Sequence, residues 1–143
     1  HFKPGLQNVR EESIPTVKIG IKNHGRTPGT VTRVHIEGVI DMKLPTVPHY
    51  EDILNRRPEE AILMPRERFI MSEEPLYGAF IPVGGLQGKN LWVIGYVDYT
   101  DRFNRRHRSG YARRYDPKQT ENNLVIESQP GYNYDHEISE GDK

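Results

Sequence analysis

The sequence predicts an all-β fold, an antiparallel β-sandwich of about seven short strands. Apolar residues alternate with polar ones in several segments, glycine and proline turn signals separate these segments, and strands do not alternate with helices. A small barrel is the alternative that the same pattern allows. A chain of 143 residues suits one domain.

The composition excludes several classes of protein. Lysine plus arginine (20) balance aspartate plus glutamate (20), so the overall charge gives no reason to expect nucleic acid or anionic lipid as a partner. Cysteine is absent, which excludes disulfides, thiol nucleophiles and cysteine metal sites. No apolar run approaches the roughly 20 residues of a transmembrane helix. We expect an irregular lead-in at residues 1–14, a β-sandwich domain at 15–128 and an acidic, partly disordered tail at 129–143.

The first half of the domain holds two clear strands. Val17, Ile19 and Ile21 alternate with polar residues, as in a strand with one face buried. Residues 23–29 have the asparagine, glycine and proline of a loop between strands. The strand that follows is long, and we expect Gly38 to mark a bulge or bend.

The second half begins with a break in the β pattern. Prolines 48 and 58 bracket a segment in which Tyr50, Ile53 and Leu54 share a helical face, so we expect a short helical insertion there. Strand pieces on both sides of Pro65 follow.

A glycine-rich loop, a long hairpin and one short strand complete the predicted domain. The loop is YGAFIPVGGLQGKN at residues 77–90, and the last strand is NLVIE at residues 123–127. The hairpin, residues 91–117, reads LWVIGYVDYTDRFNRRHRSGYARRYDP, and Trp92 is its expected core anchor. We call it the arginine hairpin.

The arginine hairpin carries six arginines in thirteen residues, interleaved with aromatic side chains: Arg102, Arg105, Arg106, Arg108, Arg113 and Arg114. Arginine beside aromatic rings suits phosphate pairing with base stacking. Strand alternation, however, divides these arginines between two faces. One interpretation is an exposed strand whose charge prevents edge pairing. The other is a site for a polyanion or an acidic partner.

No set of residues makes a strong case for catalysis, a metal or a cofactor. Asp98, Asp101 and His107 flank the hairpin, but nothing in their spacing requires them to converge. We expect Asp101 to accept backbone hydrogen bonds in the turn and Asp98 to pair with an arginine across the ladder. The histidines never occur in pairs with metal-ligand spacing. We therefore expect a protein that is not an enzyme and has neither a cofactor nor a metal ion.

Two short motifs link the 23–29 loop and the hairpin to a known group. The first is Asn-x-Gly-x-Thr-Pro, at Asn23, Gly25, Thr27 and Pro28. The second is Gly-x-x-x-Tyr-x-Asp-x-Phe, at Gly95, Tyr99, Asp101 and Phe103, and a Tyr-Asn pair closes the pattern at Tyr132 and Asn133. With these motifs the chain resembles bacterial membrane-anchored proteins of unknown function whose soluble part is an immunoglobulin-like sandwich. Gly29 and Asn104 depart from the group, which has alanine and glycine there.

The resemblance implies an N-terminal membrane helix outside this fragment and a role as a sensor or interaction module. It supplies no catalytic residues. We expect a protein partner to be contacted through the hairpin arginines and through Asn23, His24 and Arg26 of the 23–29 loop. Binding of nucleic acid or another polyanion by the hairpin is the alternative.

Overall fold

The protein is described by a computed structural model that covers residues 2–7, 9–50, 55–56, 61–70, 74–119 and 123–138. Within these ranges every regular element is a strand. The strands are β1 (Phe2–Gln7), β2 (Thr16–Lys22), β3 (Gly29–Asp41), β4 (Asn55–Arg56), β5 (Ala61–Leu63), β6 (Arg68–Ile70), β7 (Glu74–Pro75), β8 (Asn90–Thr100), β9 (Arg106–Tyr115), β10 (Leu124–Ile126) and β11 (Tyr134–Glu137).

Two antiparallel sheets are packed together, which confirms the predicted all-β sandwich. The smaller sheet has the order β1-β2-β6, with β7 also paired to β2. The larger sheet has the order β10-β9-β8-β3-β4, with β5 also paired to β3 and β11 to β9. The core cluster joins side chains of both sheets, such as Ile19 of β2 with Val34 and Ile36 of β3. The apolar residues that alternate in the sequence of β2 are therefore the ones that it contributes to the core.

Strand β8 is buried on both of its faces. Its residues 91–98 are all buried, because side chains from residues 41–50 and 127–134 cover the outer face of the larger sheet. Leu44 and Tyr132 of these segments pack with Trp92, the expected anchor of β8. The Tyr132 hydroxyl donates a hydrogen bond to the carbonyl oxygen of Pro45 at 2.7 Å, which ties the two covering segments together.

The bulge in β3 lies at a different position from the one that the sequence indicated. The pairing register with β8 shifts between Val31 and Arg33, not at Gly38. Gly38 instead allows a close approach, since a Cβ there would collide with the Ala79 side chain and lie 2.9 Å from Leu76. A glycine inside a strand is compatible with either role, and only the tertiary neighbours distinguish them.

The fold extends on both sides of the expected domain boundaries. Residues 2–7 of the expected lead-in form β1, paired along β2. Within the expected tail, Tyr132 is fully buried and Tyr134–Glu137 form β11. Residues 139–143 lie outside the described part of the chain. Burial of Tyr132 against the larger sheet makes this part of the expected tail a part of the fold.

The expected helical insertion is not shown. Residues 45–50 have no regular structure, and Asn55–Arg56 pair with β3 as a short strand. Residues 51–54 and 57–60, which carry most of the expected helix, lie outside the described residues. The strand pieces around Pro65, the arginine hairpin and the last short strand are found where the sequence indicated them.

We predict that Gly95→Ala unfolds or strongly destabilises the protein. A Cβ at this position of β8 would collide with the backbone carbonyl oxygen of His35 and lie 2.7 Å from the Tyr111 hydroxyl. Because the obstacle is backbone of the paired strand, we expect a loss of about 3 kcal/mol or more in the free energy of unfolding. Urea denaturation measures it.

Gly5→Ala is the matched control, since nothing lies within 4 Å of a Cβ built on that strand glycine. Its effect should stay within about 0.5 kcal/mol. Equal stability of the two variants would contradict the β3–β8 register described above.

Candidate functional site

The arginine hairpin is built by β8 and β9, which pair from Trp92 opposite Arg114 to Thr100 opposite Arg106. The register places Arg106, Arg108 and Arg114 on the outer face, as the alternation predicted. Because the outer face is partly covered, arginines on the same face have different environments.

Arg108 lies in the covered part of the outer face and is a structural residue. Its Nε and Nη2 donate to the two carboxylate oxygens of Asp98 at 2.7 and 3.1 Å. The side chains are only 9% and 5% exposed. The guanidinium carbon also lies 3.9 Å from the centroid of the Tyr96 ring. The expected cross-ladder partner of Asp98 is thus Arg108.

Arg113 is also buried, and Arg114 is far from the turn. Arg113 donates from Nη1 to the Asn133 side-chain oxygen at 2.9 Å, and burial lowers its pKa from the ordinary value. Arg114 lies at the other end of the strand, with its Nε 4.0 Å from a carboxylate oxygen of Glu127. Neither arginine is beside the turn, so the six arginines do not form one surface.

The other three arginines are exposed around the turn between β8 and β9. We define the hairpin tip as residues 101–106. Arg102, Arg105 and Arg106 are exposed there, and Phe103 is 63% exposed. The Arg102 and Arg105 guanidinium carbons lie 4.8 and 5.1 Å from the Phe103 ring centroid. The tip therefore presents an aromatic ring between two cations.

Asp101 organises the hairpin tip. Its carboxylate accepts hydrogen bonds from the backbone N–H groups of Phe103 and Arg105 at 2.8 and 3.0 Å, as the sequence predicted. It also contacts His107 Nε2 at 2.8 Å and Arg105 Nε at 3.1 Å. The bond with His107, followed by the backbone donors, holds the pKa of Asp101 well below its usual range. Asn104 has a φ of 61°, the left-handed geometry that asparagine tolerates.

The 23–29 loop is held in shape by Asn23. Its side-chain nitrogen donates to the carbonyl oxygens of Thr27 and Leu63, each at 2.9 Å, and its side-chain oxygen accepts from Gly25 N at 2.8 Å. Of the loop residues expected to contact a partner, Asn23 is half-buried and structural, whereas His24 and Arg26 are exposed.

The 23–29 loop and the base of the hairpin tip line one cleft of about 330 Å³ at the end of the sandwich. We call this end the cleft end. Its walls include Lys22 and His24 on the loop side and Asp101 and Asp135 on the hairpin side, and Val97 belongs to its apolar lining. A volume of this size lies at the lower limit of ligand pockets.

Tyr99 links Asp135 and Asp101, the two acidic residues of the cleft, because it contacts Asp135 directly and also His107, the partner of Asp101. Its hydroxyl donates to both carboxylate oxygens of Asp135, at 3.0 and 3.1 Å. Its ring stacks on His107 with the centroids 5.0 Å apart. Burial, and then the Asp135 charge, raises the pKa of Tyr99, so the phenol remains a donor at neutral pH. Hydrogen bonds and stacking therefore fix this wall.

The three residues considered for acid–base chemistry do not meet. His107 and Asp101 are in contact beside the cleft, whereas Asp98 lies on the outer face with Arg108. Among the described residues no group of three or more histidine, aspartate or glutamate side chains is arranged to hold a metal ion.

A buried polar cluster on the outer face was missed by the sequence reasoning. His35 is fully buried, and its Nε2 lies 3.1 Å from a carboxylate oxygen of Glu37. The His35 ring stacks on Tyr96 and meets the edge of Tyr50. The Tyr50 and Tyr134 hydroxyls lie 3.2 Å apart. The one available signal was a histidine and a glutamate two residues apart, on one face of a predicted strand.

Comparison of the chain with protein-family models, curated proteins and solved structures finds no match. In the described part of the chain no helix has the length and apolar character needed to cross a membrane.

We predict that Asp101→Asn lowers the free energy of unfolding at neutral pH. The difference in free energy of unfolding between this variant and the wild type should shrink in acid. The folded-state pKa of Asp101 is lowered, so its contribution is present above the unfolded value of about 4 and is lost as the pH falls below it. Urea denaturation of both proteins between neutral pH and pH of about 3 measures this dependence.

Glu137→Gln, at an exposed strand position, is the control. Its difference from the wild type in free energy of unfolding should change less with pH. A difference between Asp101→Asn and wild type that stays constant down to the acid limit would mean that the carboxylate charge does not stabilise the tip.

Proposed function

We propose that the protein is a non-enzymatic interaction or sensor module of a membrane-anchored bacterial protein, and that the cleft end binds a protein partner. One observation carries the proposal: the 23–29 loop and Asp101 at the base of the hairpin tip, which lie far apart in the sequence, line the same cleft. Binding residues are commonly carried on loops that a rigid scaffold positions.

The exposed side chains of the cleft end suit a partner with acidic groups. Arg102, Arg105, Arg106 and Arg26 are exposed, and Arg66 lies exposed in the turn between β5 and β6. The Arg66 N–H donates to the Asn23 carbonyl oxygen, so this turn adjoins the 23–29 loop. Guanidinium groups pair with carboxylates through two parallel hydrogen bonds. A partner could place carboxylates against the exposed arginines and an apolar side chain against the apolar lining of the cleft, which includes Val97.

The scaffold supports the proposal because it limits the cost of ordering these loops. Asp101 and Asn23 fix the two loops by hydrogen bonds to backbone groups. A preformed surface loses less conformational entropy on binding than a mobile one.

Binding of a nucleic acid or another polyanion is the second candidate. The observation that favours it is the exposed Phe103 ring between the Arg102 and Arg105 guanidinium groups. This candidate predicts an affinity that falls steeply with salt, because each phosphate contact releases counterions.

Site-specific photo-crosslinking in cells that produce the full-length protein tests the first proposal. We expect probes at His24 and at Arg26 to give one discrete protein adduct. A probe at Met42, which is 62% exposed beyond the opposite end of β3, should not give it. The adduct should weaken when Arg102 and Arg106 are replaced by alanine.

Adducts of the same size and yield from all three positions would reflect random collisions and contradict the proposal. Crosslinks to nucleic acid in place of protein would support the second candidate.

A further inference from the structure

The hairpin tip carries charged side chains and one apolar ring, Phe103. This ring belongs neither to the core nor to the lining of the cleft. The Phe103 ring is 63% exposed, although aromatic side chains usually contribute to cores. The cleft is lined by Asp101 but not by Phe103. Three exposed arginines lie in the same tip: Arg102, Arg105 and Arg106. We infer that the hairpin tip docks on a membrane surface of anionic lipid headgroups.

The chemistry of such a surface matches the tip. Guanidinium groups pair with phosphate oxygens, and segments that lie in the membrane interface combine lysine or arginine with phenylalanine or tryptophan. Arg102 and Arg105 flank the ring at 4.8 and 5.1 Å. Their charges would reach the headgroups while the ring enters the boundary with the acyl chains.

The tip is preorganised for this contact. Asp101 accepts hydrogen bonds from the N–H groups of Phe103 and Arg105, and Asn104 supplies the left-handed turn. The turn that carries the ring is thus fixed before binding, which lowers the entropy cost of docking.

A lipid surface fits the tip better than single-stranded nucleic acid does. Nucleic acid needs a basic groove along which successive bases stack on aromatic rings. Here Tyr111 is fully buried and His107 is stacked on Tyr99, so Phe103 is the exposed ring of the segment. Arg108 is paired with Asp98 and does not extend the charge along the strand.

The chain path is compatible with end-on docking. Phe2 of β1 pairs with Ile21, close to the 23–29 loop. The Ile138 N–H donates to the Arg106 carbonyl oxygen beside the tip. Phe2 and Ile138 therefore both lie near the cleft end. Docking by the tip would bring the cleft close to the membrane surface.

The interaction of an isolated domain should be weak and salt-sensitive. Each arginine near an anionic membrane surface strengthens binding about fivefold, and the attraction fades beyond a Debye length. Three arginines and one ring provide a contact that becomes effective mainly when the protein is also tethered.

Quenching of a tip fluorophore by brominated lipids tests the inference. The Phe103→Trp variant is titrated at low salt with vesicles of brominated phosphatidylcholine, with and without phosphatidylserine. We expect quenching with phosphatidylserine only. Loss of both Arg102 and Arg106 to alanine should weaken vesicle binding roughly 25-fold. Met42→Trp, at a position equally exposed (62%) but at the opposite end of the sandwich, should not be quenched.

A second control uses an arginine of the same segment. Arg114→Ala, at the far end of β9, should leave quenching unchanged. Heparin and single-stranded RNA are titrated in parallel, and Phe103→Ala should weaken vesicle binding more than heparin binding.

Three results would overturn the inference. The first is no quenching of the Phe103→Trp variant at high concentrations of anionic vesicles. The second is equal quenching with and without phosphatidylserine. The third is RNA binding in the absence of vesicle binding, which would assign the tip to nucleic acid. Because these titrations contain no protein partner, failure of the inference leaves the photo-crosslinking test of the cleft end unaffected.

Discussion

The ion pair between Asp98 and Arg108 is the constraint on which the rest of the hairpin depends. It lies under the covering segments of the larger sheet, with both side chains at least nine-tenths buried. A buried charge is tolerated only when its partner and its hydrogen bonds are present. Asp98 and Arg108 neutralise each other, and the Tyr96 ring packs against the guanidinium group. Strand β8 can therefore be buried on both faces as far along its length as Asp98.

This pair also determines which arginines are available for binding. Arg108 and Arg113 satisfy internal acceptors, and Arg114 belongs to the far end of the strand. The hairpin is therefore a rigid two-stranded arm whose charge is presented at its tip. Asn23 and Asp101 fix the two loops beside the cleft in the same way, by accepting backbone N–H groups with their side chains. Three residues of the two short motifs and the closing Tyr-Asn pair, Asn23, Asp101 and Asn133, thus have structural roles in this chain.

Local patterns were sufficient to predict the strands, because alternation and turn chemistry act over a few residues. They predicted β2, the hairpin, an arginine partner for Asp98 and the capping by Asp101. They could not predict the position of the bulge in β3, since Gly38 responds to Ala79, a residue far away in the sequence. Nor could they predict that Leu44 and Tyr132 would cover the outer face, or that β11 would pair with β9. Alternation did divide the six arginines between two faces, but it could not show that Arg108 is buried and Arg106 exposed on the same face. That difference depends on residues outside the hairpin, which alternation along one strand does not include. The buried cluster of His35 depends on the same covering segments.

A double-mutant cycle between Asp98 and Arg108 tests the central claim most directly. The free energy of unfolding is measured by urea denaturation for the wild type, Asp98→Ala, Arg108→Ala and the double variant. We predict that each single change costs about 3–5 kcal/mol, because it leaves an unpaired buried charge. The double variant should lose much less than the sum of the two.

Losses that add to within about 0.5 kcal/mol would show that the two residues do not depend on each other. Arg108 would then be a surface arginine like Arg102, and the division of the hairpin into a structural part and a binding tip would be wrong.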